Sequence, residues 1–329
     1  MKGDFPRMSY HAELMLRWLA AAAGLPEGVR RRHRAWLAAA QREDGGFAGR
    51  RGPSDVYYTG FALRGLAVLG ELTADAARRA GDFLASRICG PLAAADCASL
   101  LAGAALVETA GGDDVFARAR RDRRQMVGDV FGPLRRGDGG YAKTARGAQS
   151  SLYQTFLAVL CQEMAGAGAE GAEAIVALVR SRRRGDGGFA ELAAIERGGT
   201  SPTAAAVGLL RMLGAVDEAT RSGAVRFLAA MQTPAGGLRA HARLPLADLL
   251  STFSGAAALA DLGAGDAIDR AAACRFARGL ECPAGGFRAA AWDGQADVEY
   301  TFYGLAVAGG PDSPAIGAAK PQAATPRAS

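Results

Sequence analysis

One short signature recurs along this chain: a turn residue, two glycines and then a large apolar side chain. It reads DGGF at residues 44–47, DGGY at 138–141, DGGF at 186–189, AGGL at 235–238 and AGGF at 284–287. The second glycines of successive copies are 94, 48, 49 and 49 residues apart. The first interval spans two units, so a unit that lacks the signature lies near residues 90–95. The chain is therefore predicted to consist of six repeats of about 48 residues, and such a period is typical of ring and solenoid architectures.

Each repeat has the same internal order. A helical pattern precedes the turn, a loop follows it, and a threonine then introduces a second, more apolar helix. The threonine lies 14 residues after the large apolar residue of the turn in four repeats and 12 residues after it in the first; these threonines are Thr59, Thr155, Thr203, Thr252 and Thr301. An aspartate stands four residues before three of them, at Asp55, Asp248 and Asp297. Aspartate at a helix start accepts hydrogen bonds from free N–H groups, so we predict that these aspartates cap helices that the threonines open.

The composition of the second helices predicts the architecture. They are rich in Ala, Gly and Leu and poor in charge, which indicates burial on several sides. Six such helices inside six others predict an all-α fold, a six-repeat α/α toroid or (α/α)6 barrel with inner and outer helix rings. An open solenoid is the alternative, although the last repeat has no polar cap. We expect residues 1–310 to form this single domain and residues 311–329, rich in Pro and Ala, to be a disordered tail.

Charge and hydropathy argue against several other classes of protein. The 39 Lys and Arg against 33 Asp and Glu leave a net charge of +6. No aromatic residues are interleaved with the arginine clusters, so nucleic-acid binding is not expected. The longest uncharged stretch, residues 147–162, is 16 residues long and contains several polar side chains. This is shorter than the roughly 18–20 apolar residues of a membrane span, and charges interrupt any signal-peptide core near the start. We expect a cytoplasmic protein without a membrane span.

The repeat signature, with its GGF turns and threonine-containing inner helices, resembles the prenyltransferase/squalene-cyclase repeat. The length, the six repeats and the opening PRMSYHAELMLRWL are most similar to the β subunit of protein prenyltransferases, particularly the Rab geranylgeranyl type. The resemblance covers nearly the whole chain. It implies a funnel, lined by the inner helices, that holds an isoprenoid. It also implies a zinc ion held by Asp, Cys and His, which activates an acceptor thiol because metal ligation lowers the thiol pKa.

The zinc ligands implied by the resemblance are largely replaced in this chain. Asp248 matches the aspartate of the family, but Leu250 stands at the cysteine position and Tyr300 at the histidine position. Leucine cannot ligate zinc and neutral tyrosine is a poor ligand, so we expect no metal and no other cofactor. A site rebuilt from other side chains is the alternative, and its members would be Asp297, Glu299 and His241.

The resemblance also implies a diphosphate pocket close to the same aspartate. The corresponding stretch, residues 238–251, carries three basic side chains, Arg239, His241 and Arg243. In the family a lysine precedes the aspartate and a tyrosine follows it, whereas Pro245 and Ser251 stand near those positions here. We expect the three basic side chains to bind diphosphate, and a solvated loop is the alternative.

These comparisons with the repeat family lead to three hypotheses for function. The first is a prenyltransferase β-subunit-like protein that binds an isoprenoid diphosphate, or another apolar ligand, in a central cavity. If active, it transfers the prenyl group to a nucleophile, with Asp248, Glu299 and Tyr300 as the catalytic residues. The second is a non-catalytic binding or scaffold toroid. The third is a terpene-cyclase-like enzyme in which an Asp or Glu of the cavity acts as the acid.

The lining of the cavity would discriminate between these hypotheses. Aromatic side chains facing the cavity would favour the cyclase, since rings stabilise cations. A cationic rim would favour the transferase, and a cavity filled with Leu and Phe would favour the scaffold. Members of the resembled family also work with an α subunit, so an α-subunit-like or other protein partner is implied.

Overall fold

The structure, a computed structural model, describes residues 8–309. A first helix, α1 (Tyr10–Ala23), precedes the repeats. Each repeat then contributes one helix to an outer layer, and these are α2 (Glu27–Ala39), α4 (Ala74–Arg87), α7 (Arg123–Phe131), α9 (Ala172–Ser181), α11 (Glu218–Ala230) and α13 (Arg270–Arg278). A one-turn helix, α6 (Val115–Arg118), lies between the second and third repeats.

The second helix of each repeat belongs to an inner ring. These helices are α3 (Val56–Val68), α5 (Ala94–Thr109), α8 (Leu152–Met164), α10 (Thr200–Met212), α12 (Leu249–Asp261) and α14 (Val298–Ala308). Each packs against the next in this order, and α14 packs against α3, so the ring is closed. Each also packs against the outer helix of its own repeat. The predicted all-α, six-repeat α/α toroid is therefore confirmed, and the open solenoid is excluded.

The loop between the turn and the inner helix folds back on the turn. In the third repeat it forms a two-stranded antiparallel ladder of β1 (Tyr141–Ala142) with β2 (Ser150–Ser151). In the sixth repeat β3 (Phe287–Arg288) pairs with β4 (Ala296–Asp297) in the same way. Single bridges take the place of the ladder in other repeats, for example between Phe47 and Asp55. This fold-back brings the end of the loop, and hence the start of the inner helix, beside the turn.

The recurring threonines have a different role from the predicted one. The helices begin before them: α3 starts at Val56, and Asp55 caps it by accepting from the N–H of Tyr58 at 2.7 Å. The threonine lies one turn inside the helix, fully buried, and its Oγ1 accepts the backbone N–H of the large apolar residue of the turn. Phe47 donates to Thr59 at 2.9 Å, and the other four pairs, Tyr141–Thr155, Phe189–Thr203, Leu238–Thr252 and Phe287–Thr301, are bonded at 2.9–3.1 Å. The fixed spacing in the sequence therefore reflects one hydrogen bond made in every repeat that carries the signature.

Replacing one of these threonines tests this role. Thr252 accepts from the N–H of Leu238 and donates to the carbonyl of Asp248 at 2.7 Å. We expect Thr252→Val to lower the free energy of unfolding by about 2 kcal/mol, because it leaves a buried N–H without an acceptor. Thr252→Ser keeps the hydroxyl and should cost less than about 1 kcal/mol, the value of the lost methyl group. Urea unfolding measures both, and equal losses in the two variants would show that the methyl group matters rather than the hydroxyl.

The first glycine of each turn packs on the outer helix of the following repeat. All five have positive φ, and Gly187, for example, has φ +89°. A Cβ on Gly187 would lie 2.6 Å from the carbonyl oxygen of Gly223 in α11. The turns therefore join neighbouring repeats through backbone contacts that leave no room for a side chain.

The ring closes by the same contact between the sixth repeat and the first. Gly285 of the last turn packs on α2, where an added Cβ would lie 2.6 Å from that of Trp36. His33 of α2 is fully buried there, and its Nδ1 accepts the N–H of Gly286 at 2.9 Å. Its Nε2 lies 3.0 Å from Glu281, and its ring stacks on Phe287. We call the contact of α2 with the last turn the seam.

Helix α1 closes one end of the ring. It packs against α3, α8 and α14. The hydroxyl of Tyr10 donates to Asp261, the last residue of α12, at 2.6 Å, and Trp18 packs on Phe253 and Phe302. Arg17 also pairs with Asp261, at 3.0 Å. The ring therefore has a closed end, where the inner helices finish, and an open end, where they begin.

No helix among residues 8–309 is long and apolar enough to cross a membrane. The tail expected at residues 311–329 lies outside the described residues.

Candidate active site

A cavity of about 590 Å³ opens at the open end of the ring, between the first and sixth repeats. Its wall combines Arg50 and Arg51 of the first repeat with Asp293, Glu299 and Tyr300 of the sixth. Sites for small organic ligands generally occupy about 300–1,000 Å³. The cavity is thus large enough for a ligand, and its polar groups are gathered on the side where the ring closes.

Arg50 holds the two sides of the cavity mouth together. Its guanidinium forms a bidentate ion pair with Asp293, and its Nε donates to Asp297 at 3.1 Å. Asp297 caps α14 with its other oxygen by accepting the N–H of Tyr300 at 2.9 Å. Burial raises the pKa of Asp297 above its usual value, against the lowering by these hydrogen bonds. Arg50 therefore orders the loop and the first turn of α14 that carry the neighbouring side chains.

Glu299, in the first turn of α14, carries the carboxyl group that points into the ring. Its Oε1 accepts both the hydroxyl of Tyr57 at 2.8 Å and that of Tyr303 at 3.1 Å. Oε2 accepts no hydrogen bond from the residues described. Burial raises the pKa of Glu299, while the two tyrosine hydrogen bonds oppose that rise. When the carboxyl is protonated, the proton therefore belongs on Oε2, the oxygen left free by the tyrosines.

Tyr153 lies at the open end of the ring, on the side opposite Glu299. It lies in the first turn of α8, the helix opposite α14 in the ring. Burial, followed by the negative charge of Glu299, raises the pKa of Tyr153, and the positive charge of Arg64 opposes that rise. Yet 43% of its surface is exposed. Tyr153 therefore forms part of the mouth, on the side opposite α14.

Aromatic rings pack together on the same side of the ring, and two of them, Phe61 and Tyr303, are buried. Phe61 and Tyr57 of α3 pack edge to face with centroids 4.8 Å apart, and Phe61 lies 5.4 Å from Tyr303 of α14. The ring centroids of Phe253 in α12 and Tyr303 are 4.5 Å apart. Tyr300 lies edge-on to Tyr303, with centroids 5.9 Å apart. The rings thus form a continuous wall from the mouth down to α1. Such a wall presents negative ring faces, which stabilise a nearby cation.

Two other candidate catalytic residues, Asp248 and Tyr300, lie close together at the mouth. Burial raises the pKa of Tyr300 to about 12, followed by the charges of Glu299, Asp297 and Asp248. Tyr300 is thus a neutral phenol at the cavity wall. Asp248 instead serves as a helix cap: Oδ1 accepts the N–H of Ser251 at 2.7 Å and Oδ2 accepts the hydroxyl of the same residue at 2.8 Å.

The three basic residues expected to bind diphosphate lie in the loop of the fifth repeat. They do not line the cavity at the open end of the ring. Arg239 donates to the carbonyl of Ala230 in the outer helix at 3.1 Å. His241 and Arg243 are exposed. The backbone of this loop leans on the neighbouring repeat, since the carbonyl of Ala240 accepts the N–H of Thr200 at 2.8 Å. The structure therefore places these cations apart from Glu299 and Tyr300, and their role in binding stays a prediction.

The residues at the family's zinc positions do not fit a zinc ion. Asp248 uses both oxygens to cap α12, Leu250 offers no ligand atom, and Tyr300 is neutral. Among residues 8–309, no three His, Cys, Asp or Glu side chains are grouped so that they could hold a metal ion. This holds for the alternative set of Asp297, Glu299 and His241 as well. We therefore derive no step through a metal.

A further regularity of the sequence indicates which residues line the open end. Tyr57, Tyr153 and Glu299 each stand two positions before a recurring threonine. Ser201 and Leu250 hold the same position in the fourth and fifth repeats. Since each threonine faces its own turn in the same way, this position points into the ring in every repeat. Arg50 and Arg64, in contrast, stand at positions that show no such regularity among the repeats, so the repeat pattern does not predict their role.

Comparison with known proteins supports the fold. A family model, the prenyltransferase alpha-alpha toroid domain, matches residues 8–239 and 203–310. No curated protein sequence matches the chain significantly. Among solved structures, the chain is similar to Candida albicans protein geranylgeranyltransferase-I complexed with GGPP, at 12% identity and a TM-score of 0.63. That match covers 84% of this chain and 89% of the other.

The chain is also similar to variants of the type II terpene cyclase MstE from Scytonema. One, in complex with the product merosterolic acid A, has 17% identity and a TM-score of 0.57; 92% of this chain and 97% of the other are covered. A second holds the substrate geranylgeranyl dihydroxybenzoate, at 16% identity, a TM-score of 0.57 and the same coverage. At these identities the likeness concerns the fold alone.

Proposed function

The chain belongs to the prenyltransferase alpha-alpha toroid family, and we propose that it binds an isoprenoid chain inside its ring and isomerises it by acid catalysis from Glu299. The observation that carries this proposal is the carboxyl of Glu299, with Oε1 bonded to two phenols and Oε2 free at the cavity wall. Of the lining types considered from the sequence, aromatic side chains are the ones that favour a cyclase. Two type II terpene cyclase structures of similar fold hold merosterolic acid A as product and geranylgeranyl dihydroxybenzoate as substrate.

The proposed step balances with the residues of this chain and water alone. The π electrons of a carbon–carbon double bond form a C–H bond with the proton of Oε2. The O–H electron pair remains on Glu299, and positive charge develops on the neighbouring carbon, against the aromatic wall. Internal double bonds of the same chain then attack that carbon and close rings, and a proton finally leaves to water. The product has the same elemental composition as the substrate.

Glutamine at position 299 tests this step. Gln keeps an oxygen for the two tyrosine hydroxyls, so Glu299→Gln should fold and bind the ligand, but it has no proton to donate and should lose at least about 100-fold in turnover. We would incubate the protein with geranylgeranyl dihydroxybenzoate and follow isomeric products by liquid chromatography and mass spectrometry. Turnover should fall as the pH rises through the raised pKa of Glu299, since only the protonated carboxyl is active.

The matched control is Glu196→Gln, a change of the same chemistry on an exposed residue of the fourth loop. It should keep the turnover of the original protein. Turnover that survives in Glu299→Gln would overturn the assignment of the acid. Absence of isoprenoid binding by the original protein would overturn the proposed function itself and favour a scaffold.

Prenyl transfer is the second candidate, favoured by Arg51. This arginine lines the mouth of the cavity, is exposed and has no ion-pair partner among the described residues, so its guanidinium is free for a diphosphate. A structural neighbour binds GGPP. The two reactions differ in what leaves: transfer breaks the carbon–oxygen bond and releases inorganic diphosphate, whereas isomerisation releases nothing. A coupled assay for diphosphate, run with geranylgeranyl diphosphate, therefore separates them.

A further inference from the structure

Arg64 is a cation inside the ring without a counter-ion. It lies in α3, seven residues beyond Tyr57, which places it roughly 10 Å further from the open end. Its Nε donates to the carbonyl of Gly60 at 3.0 Å and its Nη2 to the hydroxyl of Ser99 at 3.3 Å. Among residues 8–309 no carboxylate lies within ion-pair distance of it. Its remaining N–H groups have no acceptor among those residues.

Other arginines inside the ring are paired. Arg17 and Arg211, at the closed end, both contact Asp261, at 3.0 and 2.9 Å. Arg50, at the mouth, contacts Asp297 at 3.1 Å. An isolated buried charge costs several kcal/mol unless it is paired. Arg64, which is half-buried, therefore costs stability in the ligand-free protein. Burial lowers its pKa, and the charge of Glu299 is among the smaller effects that oppose this lowering.

The surroundings of Arg64 hold the guanidinium in place for a ligand. Its Cζ lies 4.0 Å from the ring centre of Phe61 and 5.3 Å from that of Phe302. A ring and a carbonyl of α3 itself, the hydroxyl of Ser99 in α5 and the ring of Phe302 in α14 leave it few other positions. The aromatic wall described above thus ends, on its inner side, at a fixed positive charge.

His11 of α1 supplies a second unpaired polar group at the same place. Its Nε2 is buried and has no hydrogen-bond partner among the residues described. His11 lies in α1, which packs against α3, the helix that carries Arg64. Burial, and then the charge of Arg64, together lower the pKa of His11 to about 4. At neutral pH the ring is uncharged and can donate one hydrogen bond from Nε2. A buried polar atom without a partner indicates a missing group.

We propose that Arg64 and His11 form an anion-binding site inside the ring, and that the isoprenoid ligand carries an ionised oxyanion, a carboxylate or a phosphate, that binds there. This assignment rests on the proposed binding of an isoprenoid and adds its chemical class. Guanidinium and imidazole N–H groups donate to one oxyanion, and the bound anion supplies the missing counter-ion of Arg64. The apolar chain of the same ligand then lies along the aromatic wall towards Glu299.

The test compares ligands that share one hydrocarbon chain. Geranylgeranoic acid, geranylgeranyl monophosphate and geranylgeraniol would be titrated by calorimetry at neutral pH. We expect one or both anions to bind at least about 10-fold more tightly than the alcohol, the value of a charge-assisted hydrogen bond. In Arg64→Met the preference should vanish while the alcohol still binds, and in His11→Leu it should fall several-fold.

Thermal unfolding of the ligand-free protein gives an independent readout. Because Arg64 is a half-buried charge without an ion pair among residues 8–309, Arg64→Met should raise Tm by a few degrees. The matched control Arg197→Gln, an exposed arginine of the fourth loop, should change neither Tm nor the preference.

Three results would overturn the site. They are equal affinity of the three ligands in the original protein, a lowered Tm in Arg64→Met, which would make Arg64 a structural residue, and loss of the preference in Arg243→Gln instead. If the alcohol binds and the anions bind no better, isoprenoid binding stands and only the anion site falls. If none of the three ligands binds, both proposals fall.

Discussion

Gly187→Ala is expected to lower the free energy of unfolding by at least about 3 kcal/mol, whereas Gly52→Ala should cost about 1 kcal/mol. The two glycines have nearly the same positive φ, +89° and +90°, so alanine is strained at both positions. They differ in their surroundings. An added Cβ on Gly187 would lie 2.6 Å from the carbonyl oxygen of Gly223 and 3.2 Å from its Cα, whereas nothing lies within 4 Å of one on Gly52.

The atoms that meet the added Cβ decide the size of this effect. They belong to the backbone of α11 and cannot rotate away as a side chain can, so the turn and the outer helix must separate. Urea unfolding of both variants measures the difference. Equal losses would mean that backbone strain alone accounts for the glycine, and that the turns do not join the repeats as closely as described.

His33→Ala is expected to lower the free energy of unfolding by about 3–5 kcal/mol, because it opens a cavity in the seam and leaves a buried N–H unpaired. The N–H of Gly286 loses its acceptor, and Phe287 loses the ring that stacks on it at 4.7 Å. Denaturant unfolding measures this loss. A value below about 1 kcal/mol would contradict the description of the seam.

The same residue predicts how stability depends on pH. Burial, and then the charge of Arg32, lower the pKa of His33 to about 4, whereas the unfolded chain has the ordinary value near 6.5. The unfolded state thus takes up the proton first. The stabilisation is complete above pH 6.5 and is lost as the pH falls towards 4, by about 3 kcal/mol in all.

A second variant separates His33 from the other titrating groups, including His11, whose pKa is also lowered to about 4. His33→Gln has no titrating ring, so its unfolding free energy should fall less between pH 6.5 and pH 4 than that of the original protein. Parallel curves for the two proteins would show that His33 takes up its proton at the same pH whether the chain is folded or not.

The regular parts of the fold were predictable because the repeat imposes the same contact several times. The GG turns, the helix pairs and the capping role of Asp55, Asp248 and Asp297 all follow from spacing. The role of the threonines was predicted wrongly. A threonine near a helix start is as compatible with capping as with a bond to another segment, and only the fold-back of the loop selects the second.

The site was less predictable because its contacts join the first repeat to the last. Tyr57 and Glu299 are 242 residues apart and belong to the first and last repeats. Arg50 and Asp297 are 247 residues apart. Spacing within one repeat carries no information about such pairs. The resemblance led to Tyr300 through an aligned position and to Glu299 as its neighbour in the sequence. It also led to Arg239, which the structure shows directed at the outer helix.

The seam also has a consequence for synthesis on the ribosome. His33 is made early, yet its partner Gly286 follows 253 residues later. At about 5–20 residues per second, the growing chain spends roughly 10–50 s as an incomplete ring. During that time the first outer helix and the newest inner helix both present apolar edges that the finished molecule covers. The protein can therefore complete its fold only after its last repeat has been made. A chain that ends within that repeat has two exposed apolar edges and does not form a smaller ring.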